Sequence, residues 1–263
     1  MDLGLRGKVA FVAAASKGLG RAVAEELAAE GVSLALNARG GDELETTSRS
    51  ISSTSQVDVL PLAGDVSNAE QVDGMVKAAI ERFGRIDILV TNAGGPPSGQ
   101  FESLTSAMWQ AAVDVTLLSV VNLTRAVLPG MKERGWGRII NITSITVKQP
   151  VHGLMLSNSL RAAVTGFART LANEVAADGI TVNNMLPGYT RTERVEQLSA
   201  ATASREGISS EEAVRRWTSE IPMERLGEPK EFGALAAFLA SERASYITAQ
   251  SIAVDGGWIR SLV

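Results

Sequence analysis

The chain has 263 residues, 45% of them apolar and 21% charged, with a formal net charge of -4 at pH 7. This length allows one large α/β domain with a substantial core. A mildly acidic chain with mixed charges is not suited to binding nucleic acid or an anionic membrane. With no cysteine and one histidine, disulfides, a cysteine nucleophile and a multi-histidine metal site are excluded. Because we recognise no signal peptide and no membrane-spanning run, we expect a cytoplasmic protein.

Short β-rich runs alternate with helical runs along most of the chain. The predicted strands are 9–14, 33–37, 56–61, 86–91, 138–143, 180–186 and 252–254. The predicted helices run from the turn after residue 14 to about 30 and over 68–83, 106–131, 155–177 and 230–239. This alternation indicates an α/β fold, with right-handed crossovers and a parallel sheet covered by helices on both faces. No linker divides the chain, so we expect a single domain over 1–263.

One segment interrupts this alternation. Residues 191–226 are polar, charged and longer than an ordinary connection. Ser209 and Glu212 have the spacing of a capping box, which predicts a short helix that ends near residue 219. Because ligands bind beside such sheets, we expect 191–227 to form a substrate lid. A solvated surface helix is the alternative.

A glycine turn follows the first strand, with the sequence Ser16-Lys17-Gly18-Leu19-Gly20. The diphosphate of a dinucleotide needs close access to the N–H groups at a helix N-terminus, and glycines keep that access open. Two glycines alone are a weak signal, because many strand-to-helix turns contain them. The turn therefore predicts a dinucleotide site only together with the strand ends that follow.

The second strand ends in Asn37-Ala38-Arg39, where an enzyme that uses NAD usually has a carboxylate for the ribose hydroxyls. Arg39 and Lys17 can instead neutralise a 2′-phosphate, which favours NADP(H) over NAD(H). Arg39 as a solvent-facing loop residue is the alternative.

Further candidate cofactor contacts follow the third and fourth strands, namely Asp65-Val66 and Asn92-Ala93-Gly94. Each of these segments could be ordinary turn chemistry. Their placement at successive strand carboxyl ends, where doubly wound sheets bind ligands, favours the nucleotide site.

Residues 7–257 resemble the short-chain dehydrogenase/reductase family, and especially its β-ketoacyl-acyl-carrier-protein reductases. Besides the segments above, the resemblance rests on Gly137-Arg138-Ile139-Ile140-Asn141-Ile142, Gly179-Ile180-Thr181-Val182-Asn183, Pro187-Gly188 with Thr192, and Val254-Asp255-Gly256-Gly257. It implies a seven-stranded Rossmann-type sheet, with Pro187, Gly188 and Thr192 near the nicotinamide and Asp65-Val66 on the adenine. The chain departs from the family at Ala13-Ala14, where the family has Thr-Gly, so Ala14 adds a methyl group to the turn.

The resemblance is weakest at the reactive positions. Where the family has Asn, Ser, Tyr and Lys, this chain has Thr116, Ser144, Ser157 and Arg161, so only the serine is kept. In the family the lysine lowers the tyrosine pKa from about 10, and a serine hydroxyl is far harder to ionise than a phenol. Arg161 can hold ribose hydroxyls, but it stays protonated and cannot relay a proton.

Three sources could replace the missing proton donor: His152, Tyr189 and a bound water. His152 lies in the loop between Ser144 and Ser157 and has a suitable pKa. The plainer alternatives are an exposed loop histidine and, for Tyr189, an aromatic side chain packed under the lid. Ser144 could polarise a carbonyl oxygen by donating a hydrogen bond, or it could be a simple turn serine.

The sequence thus predicts an NADP(H)-dependent oxidoreductase that acts on a carbonyl or alcohol, with altered proton delivery. A nucleotide-binding pseudoenzyme, serving as a sensor or assembly partner, is the alternative. A hydrolase is not supported, because the chain has neither a Ser-His-Asp order nor a nucleophile elbow. The small and apolar faces of the helices at 106–131 and 157–177, together with the family resemblance, predict a homotetramer or homodimer.

Overall fold

Seven parallel strands form a single sheet in the computed structural model, which describes residues 2–262. Their order is β3-β2-β1-β4-β5-β6-β7, so the order reverses between β1 and β4. The strands are β1 (Val9–Val12), β2 (Ser33–Ala38), β3 (Val59–Ala63), β4 (Ile88–Thr91), β5 (Gly137–Ile142), β6 (Ile180–Pro187) and β7 (Ser251–Val254). This arrangement confirms the predicted Rossmann-type, doubly wound sheet.

Helices cover both faces of the sheet. They are α1 (Gly18–Ala29), α2 (Gly41–Ser55), α3 (Ala69–Phe83), α4 (Ser106–Val113), α5 (Ser119–Arg134), α6 (Met155–Val175), α7 (Glu193–Glu206), α8 (Ser210–Glu220) and α9 (Pro229–Ala240). Successive strand side chains point to opposite faces, so Val12 packs in the core under α1, α2 and α9, and Phe11 in the core under α3, α5 and α6.

The third strand begins later than the sequence predicts, at Val59 instead of residue 56. The cause is α2, a helix that the sequence analysis did not place. It ends on Gln56, which adopts a left-handed conformation with φ of 54°. The Ser- and Thr-rich composition of α2 conceals its inner face, where Leu44 and Ile51 are buried.

The predicted long helix is present, running through α4, a π-helical turn at Asp114–Leu118, and α5. Within residues 2–262, this stretch, Ser106–Arg134, is long and apolar enough by composition to cross a membrane, which the sequence analysis did not anticipate. Its inner residues Leu123, Val127 and Met131 are buried against the sheet. This packing is that of a core helix.

The segment that interrupts the sequence pattern contains two helices, α7 and α8. The hydroxyl of Ser209 accepts a hydrogen bond from the Glu212 N–H at 3.1 Å, as its spacing predicted, and α8 ends at Glu220. Helix α7 had not been predicted. It begins after Thr192 at the sheet edge from which α1 also starts.

Buried and half-buried polar side chains link the neighbouring strands β4, β5, β6 and β7. Thr91 donates to Asn141 at 2.7 Å, Asn141 donates to Asn184 at 3.1 Å, and Asn184 donates to Ser251 at 3.2 Å. Hydrogen bonds between buried polar groups fix relative positions because breaking one leaves an unsatisfied group. This row therefore holds β4, β5, β6 and β7 in register below the edge that carries the candidate site.

Candidate active site

The carboxyl ends of the strands open into a cleft of about 640 Å³. Most of the residues predicted to bind a cofactor or take part in catalysis line it, whereas Gly20 and His152 do not. Those that line it are Ser16, Lys17, Gly18, Leu19, Asn37, Arg39, Asp65, Val66, Asn92, Ala93, Gly94, Ser144, Ser157, Arg161, Pro187, Gly188 and Thr192.

The glycine turn presents the N-terminus of α1 to the cleft. Gly18 begins the helix with φ of 59°, a left-handed conformation that suits glycine. The N-cap residue Lys17 makes no side-chain capping hydrogen bond, and the first turn has no acidic residue. The first N–H groups of α1 are therefore free for a ligand, and the helix dipole favours an anion there. This geometry fits a dinucleotide diphosphate.

Gly20 lies on the inner side of this turn, against the backbone of Ala14, and therefore does not line the cleft. A Cβ atom at Gly20 would lie 2.3 Å from the carbonyl oxygen of Ala14, so the helix can pack on the end of β1 only with glycine here. Ala14 itself has φ of 50°. This left-handed conformation costs an alanine about 1–2 kcal/mol but costs a glycine little. The methyl group at position 14 is thus accommodated with backbone strain.

The two cations proposed for a 2′-phosphate differ in their partners. The Lys17 ammonium lies 2.5 Å from Glu193 and 3.9 Å from Glu43, and its hydrogen bond to Glu193 raises the Lys17 pKa. Arg39 is exposed and lines the cleft, and it forms no ion pair with any residue of 2–262. Arg39 is therefore the cation open to a phosphate, whereas Lys17 joins the glycine turn to α7.

The side-chain amide of Asn37 donates hydrogen bonds to backbone carbonyl groups. Its amide nitrogen donates to the carbonyl oxygens of Leu62 at 3.1 Å and Gly64 at 3.0 Å, which uses both of its protons. Asn37 lines the cleft, but its amide holds the end of β3 against β2.

Asp65 is fixed by its neighbour Ser67. Its carboxylate accepts hydrogen bonds from the Ser67 N–H at 2.9 Å and hydroxyl at 2.8 Å. Burial alone would raise the Asp65 pKa, but these hydrogen bonds and the charge of Arg39 lower it overall. Asp65 is therefore an ionised acceptor at neutral pH.

Ser144, Ser157 and Arg161 meet at the other end of the cleft. The Ser144 hydroxyl accepts the Thr146 N–H at 3.1 Å, which leaves its own proton to donate. Arg161 lies one helical turn after Ser157 and donates from Nη1 to the carbonyl oxygens of Ile142 at 2.9 Å and Thr143 at 2.8 Å. These bonds hold the guanidinium at the end of β5, immediately before Ser144.

The charge of Arg161 is held in an unfavourable environment. Burial, and then the positive charge of Arg194, lower the Arg161 pKa to about 10. The side chain remains protonated at neutral pH, as the sequence analysis expected.

The structure does not bring His152 to the reacting end of the cleft. Its side chain is exposed, and its Nε2 lies 3.4 Å from Nε2 of Gln100. The loop that contains His152 turns this ring towards solvent, which is the plainer of the two alternatives given above.

Tyr189 does line the cleft, but it packs in an aromatic cluster. Its ring stacks on Trp217 with 4.8 Å between centroids and meets Trp258 edge-on at 6.1 Å. Burial, and then the charge of Glu220, raise the Tyr189 pKa to about 12. This shift is opposite to the one that a proton-exchanging phenol needs near neutral pH.

Thr116, at the position of the family asparagine, lies next to Arg161. Both residues line a small cavity of about 10 Å³ beside the main cleft. The Thr116 hydroxyl is buried and has no hydrogen-bond partner among residues 2–262. The position is therefore close to the reacting end, although its side chain differs from that of the family.

Arg194 is a cleft residue that the sequence analysis missed. It lies in the first turn of α7 and reaches the opposite side of the cleft, where Nη2 donates to the Pro96 carbonyl oxygen at 3.1 Å. An arginine two positions after Thr192 was the only sequence signal. The helical phase that turns it inward depends on how the 191–227 segment folds.

A doubly wound sheet with an uncapped helix N-terminus at its switch point defines a nucleotide-binding α/β protein. The family model described as enoyl-(acyl carrier protein) reductase matches residues 13–259. The chain therefore belongs to the short-chain dehydrogenase/reductase family of oxidoreductases, which act on carbonyl and alcohol groups. This confirms the predicted family and enzyme class.

Curated relatives and solved structures match over nearly the whole chain. A D-beta-hydroxybutyrate dehydrogenase of Cupriavidus necator is 35% identical over 97% of this chain and 99% of its own. A 3-oxoacyl-acyl-carrier-protein reductase of Vibrio cholerae is 34% identical over 97% and 98%. L-Sorbose reductase of Gluconobacter frateurii, solved with NADPH and L-sorbose, is 35% identical with a TM-score of 0.95 and full coverage of both chains.

Proposed function

We propose that this protein is an NADP(H)-dependent reductase of carbonyl compounds in which a water, held near Ser157, supplies the proton. One observation carries the proposal. A single cleft joins an uncapped helix N-terminus at Gly18 to the group Ser144, Ser157 and Arg161. Binding and chemistry then occur along one edge of the sheet, as doubly wound enzymes require.

The described residues fit NADP(H). The turn Ser16–Leu19 holds the diphosphate on the N–H groups of α1. Arg39 holds the 2′-phosphate by charge-assisted hydrogen bonds. Asp65 and Val66 contact the adenine, with Asn92, Ala93 and Gly94 on the adjoining part of the cofactor. Arg161 holds ribose hydroxyls, and the nicotinamide lies beside Pro187, Gly188 and Thr192. NADPH was present in the solved L-sorbose reductase.

The chain's own contribution is to orient and polarise the carbonyl. Bound NADPH supplies the hydride. Ser144 donates its free proton to the carbonyl oxygen, because its lone pair already accepts the Thr146 N–H. The charge of Arg161 lies beside this hydrogen bond and stabilises the negative charge that develops on oxygen. Together these two residues replace the electrostatic part of the family's reactive group.

Proton delivery differs from that of the family. The Ser157 hydroxyl makes no hydrogen bond to another residue of 2–262, so it can hold a water beside the substrate oxygen. His152 is turned towards solvent, and Tyr189 has a pKa of about 12. Neither is a proton donor in the proposed mechanism.

The substrate is a β-ketoacyl-like compound, in keeping with the names of the hydroxybutyrate and 3-oxoacyl relatives.

A pseudoenzyme is the second candidate, and a specific observation favours it. Among the described residues, neither Arg161 nor Tyr189 has a pKa near neutrality, since burial and Arg194 lower the Arg161 pKa only to about 10 and burial and Glu220 raise the Tyr189 pKa to about 12. A sensor or assembly partner needs only the nucleotide half of the cleft. Such a protein would bind NADPH tightly without oxidising it.

The proposal also covers the oligomeric state of the protein and the role of the 191–227 segment. The exposed, small side chains of Ala162 and Ala163 on α6, with Gly166 one turn on, allow close approach of a second copy, giving a homodimer or homotetramer in the cytoplasm. Analytical ultracentrifugation measures the assembly directly.

The 191–227 segment acts as a substrate lid, because Arg194 already bridges to Pro96 on the other side of the cleft.

The test combines cofactor binding with a substrate panel. Calorimetry with NADPH and NADH should give tighter binding of NADPH. Oxidation of NADPH should then follow with at least one of a panel of ketones, 3-oxo acids and β-ketoacyl thioesters. Absence of binding would contradict both candidates. Binding without turnover of any panel member would favour the pseudoenzyme.

A further inference from the structure

Two guanidinium groups line the cleft where the neighbouring strands β4 and β5 end, Arg161 on the carbonyls of Ile142 and Thr143 and Arg194 on that of Pro96. Arg161 reaches it from α6, and Arg194 reaches it from α7. Arg194 also rests on the loop after β4, where a Cβ atom built on Gly95 would lie 3.0 Å from its Nη2. The positive charge of Arg194 acts on Arg161 strongly enough to help lower the Arg161 pKa. The two groups therefore form a pair of like charges.

Neither arginine has an acidic partner. No carboxylate among residues 2–262 lies within 4.0 Å of either guanidinium, and their described hydrogen bonds go only to backbone carbonyl oxygens. Arg161 bonds through Nη1 and Arg194 through Nη2, so each keeps further N–H donors for a ligand.

The acidic residues of the cleft are occupied elsewhere. Glu43 and Glu193 pair with Lys17, and Asp65 accepts from Ser67. None of them neutralises the arginine pair. Partly buried like charges without a counter-ion are unfavourable, so an arrangement of this kind indicates that a bound anion supplies the missing charge.

We propose that Arg161 and Arg194 form an anion site for one carboxylate or phosphate group. The planar fork of a guanidinium matches both groups in geometry. On the proposed function, two sources can reach the site. One is the carboxylate of a short 3-oxo acid substrate. The other is the diphosphate of the cofactor, which would meet the site from the Arg194 side, because a Cβ atom built on Gly18 would lie 3.8 Å from Thr192, two residues before Arg194. Apolar residues of the same cleft, Val151, Leu154 and Leu198, are available to contact the carbon chain of such an acid.

Binding measurements test the site without requiring turnover. Acetoacetate and its neutral methyl ester are titrated into the full chain with and without NADP⁺, which has no hydride to give. The variant is Arg194→Gln, which removes the charge. The matched control is Arg191→Gln, because Arg191 is exposed, lies outside the cleft lining and pairs with Glu228 at 3.1 Å.

Two results support the site and identify its source. If the substrate carboxylate binds there, Arg194→Gln weakens acetoacetate binding about ten- to hundredfold, the range for hydrogen bonds to charged groups, and leaves NADP⁺ binding unchanged. If the cofactor diphosphate binds there, the same variant weakens NADP⁺ binding by a similar factor. Unchanged affinities for both ligands, or equal losses in Arg191→Gln, would overturn the proposal.

Stability measurements separate an anion site from a structural role. Arg194→Gln removes a like-charge contact with Arg161, so the melting temperature of the ligand-free chain should not fall. A clear fall would assign Arg194 to holding the lid on Pro96, against the proposal. Arg194-dependent binding of acetoacetate without hydride transfer would contradict only the proposed function. Turnover of neutral ketones without such binding would contradict only the anion site.

Discussion

The two ends of the cleft are built in different ways. At the nucleotide end, the binding groups are mostly backbone: the N–H groups at the start of α1, a glycine turn and the strand carboxyl ends. At the reacting end they are side chains, namely Ser144, Ser157 and Arg161. The comparison teaches that a cleft end built from backbone groups depends little on side-chain identity, whereas an end built from side chains changes its chemistry with each substitution, as at Thr116, Ser157 and Arg161.

Their electrostatics also differ. At the nucleotide end, Lys17 pairs with Glu43 and Glu193, whereas Arg39 forms no ion pair among residues 2–262. The reacting end contains Arg161 and Arg194 without a carboxylate partner among residues 2–262. One of the two cations of the nucleotide end is therefore paired within the chain, whereas on our proposal both arginines of the reacting end take their counter-charge from a bound anion.

The largest expected effect comes from a substitution in the glycine turn, where backbone groups form the nucleotide end. Gly20→Ala puts a methyl group 2.3 Å from the Ala14 oxygen. We expect the free energy of unfolding to fall by about 3 kcal/mol, with loss of NADPH binding. The control is Gly74→Ala, in an exposed part of α3 with nothing within 4 Å. It should stabilise the chain by up to about 1 kcal/mol. Equal effects in denaturant titrations would contradict the account.

The next effect concerns the altered reacting end. Restoring a phenol and an amine with Ser157→Tyr and Arg161→Lys should raise kcat for a ketone by about 10²- to 10⁴-fold, the usual contribution of a positioned acid. The matched control, Ser157→Phe with Arg161→Lys, adds the ring without the hydroxyl and should give no gain. Equal rates in the two double variants would mean that the surroundings, Thr116 included, no longer support the family's chemistry.

A third prediction separates the two cations of the nucleotide end. Arg39→Ala should weaken NADPH binding about ten- to hundredfold and leave NADH binding unchanged, because no carboxylate oxygen of the described residues lies within 4.0 Å of the Arg39 guanidinium. Lys17→Ala should have a smaller effect, since Lys17 is already paired with Glu193 at 2.5 Å. Calorimetry on both variants measures this. A larger loss in Lys17→Ala would reverse the assignment.

The pH dependence gives a fourth prediction. Arg161 is charged below its pKa of about 10 and neutral above it. Activity that needs this charge should be level from about pH 6.5 to pH 9 and fall as pH approaches 10. His152→Gln should leave the profile unchanged, since His152 is turned to solvent. A step in the wild-type pH profile that disappears in this variant would restore His152 as the donor.

The smallest effect concerns the strained turn. Ala14→Gly removes the cost of a left-handed alanine with φ of 50° but adds flexibility to the unfolded chain. The net gain should be about 0.5–1 kcal/mol in thermal or denaturant unfolding. Ala24→Gly, in the interior of α1, should destabilise the chain instead. A loss of stability in Ala14→Gly would show that the methyl group is well accommodated.

The sequence predicted the fold and the position of the cleft because both depend on pattern. Alternating strands and helices dictate a parallel sheet, and residues such as Arg39 and Asn92 follow strands whose carboxyl ends meet at one edge. The polar helix α2 was missed because serine and threonine conceal its inner face, and that omission moved the predicted start of β3.

The hydrogen-bond and ion-pair partners of side chains, and the directions in which they point, could not be predicted in the same way. The sequence does not reveal that the Asn37 amide is used by Leu62 and Gly64, or that Lys17 meets Glu193 from a distant helix. The outward turn of His152 and the inward turn of Arg194 depend on loop and helix orientation in three dimensions. These features are set by tertiary contacts, which local spacing does not encode.

The most direct test of the central claim follows the hydride itself. The full chain is mixed in a single turnover with NADPH that carries deuterium at the transferable position and with a 3-oxo acid or β-ketoacyl thioester. We predict an alcohol with deuterium on the former carbonyl carbon, formed at a rate that Ser144→Ala lowers. Tight NADPH binding with no deuterium transferred to any member of the panel would contradict the claim that this cleft is a working reductase site.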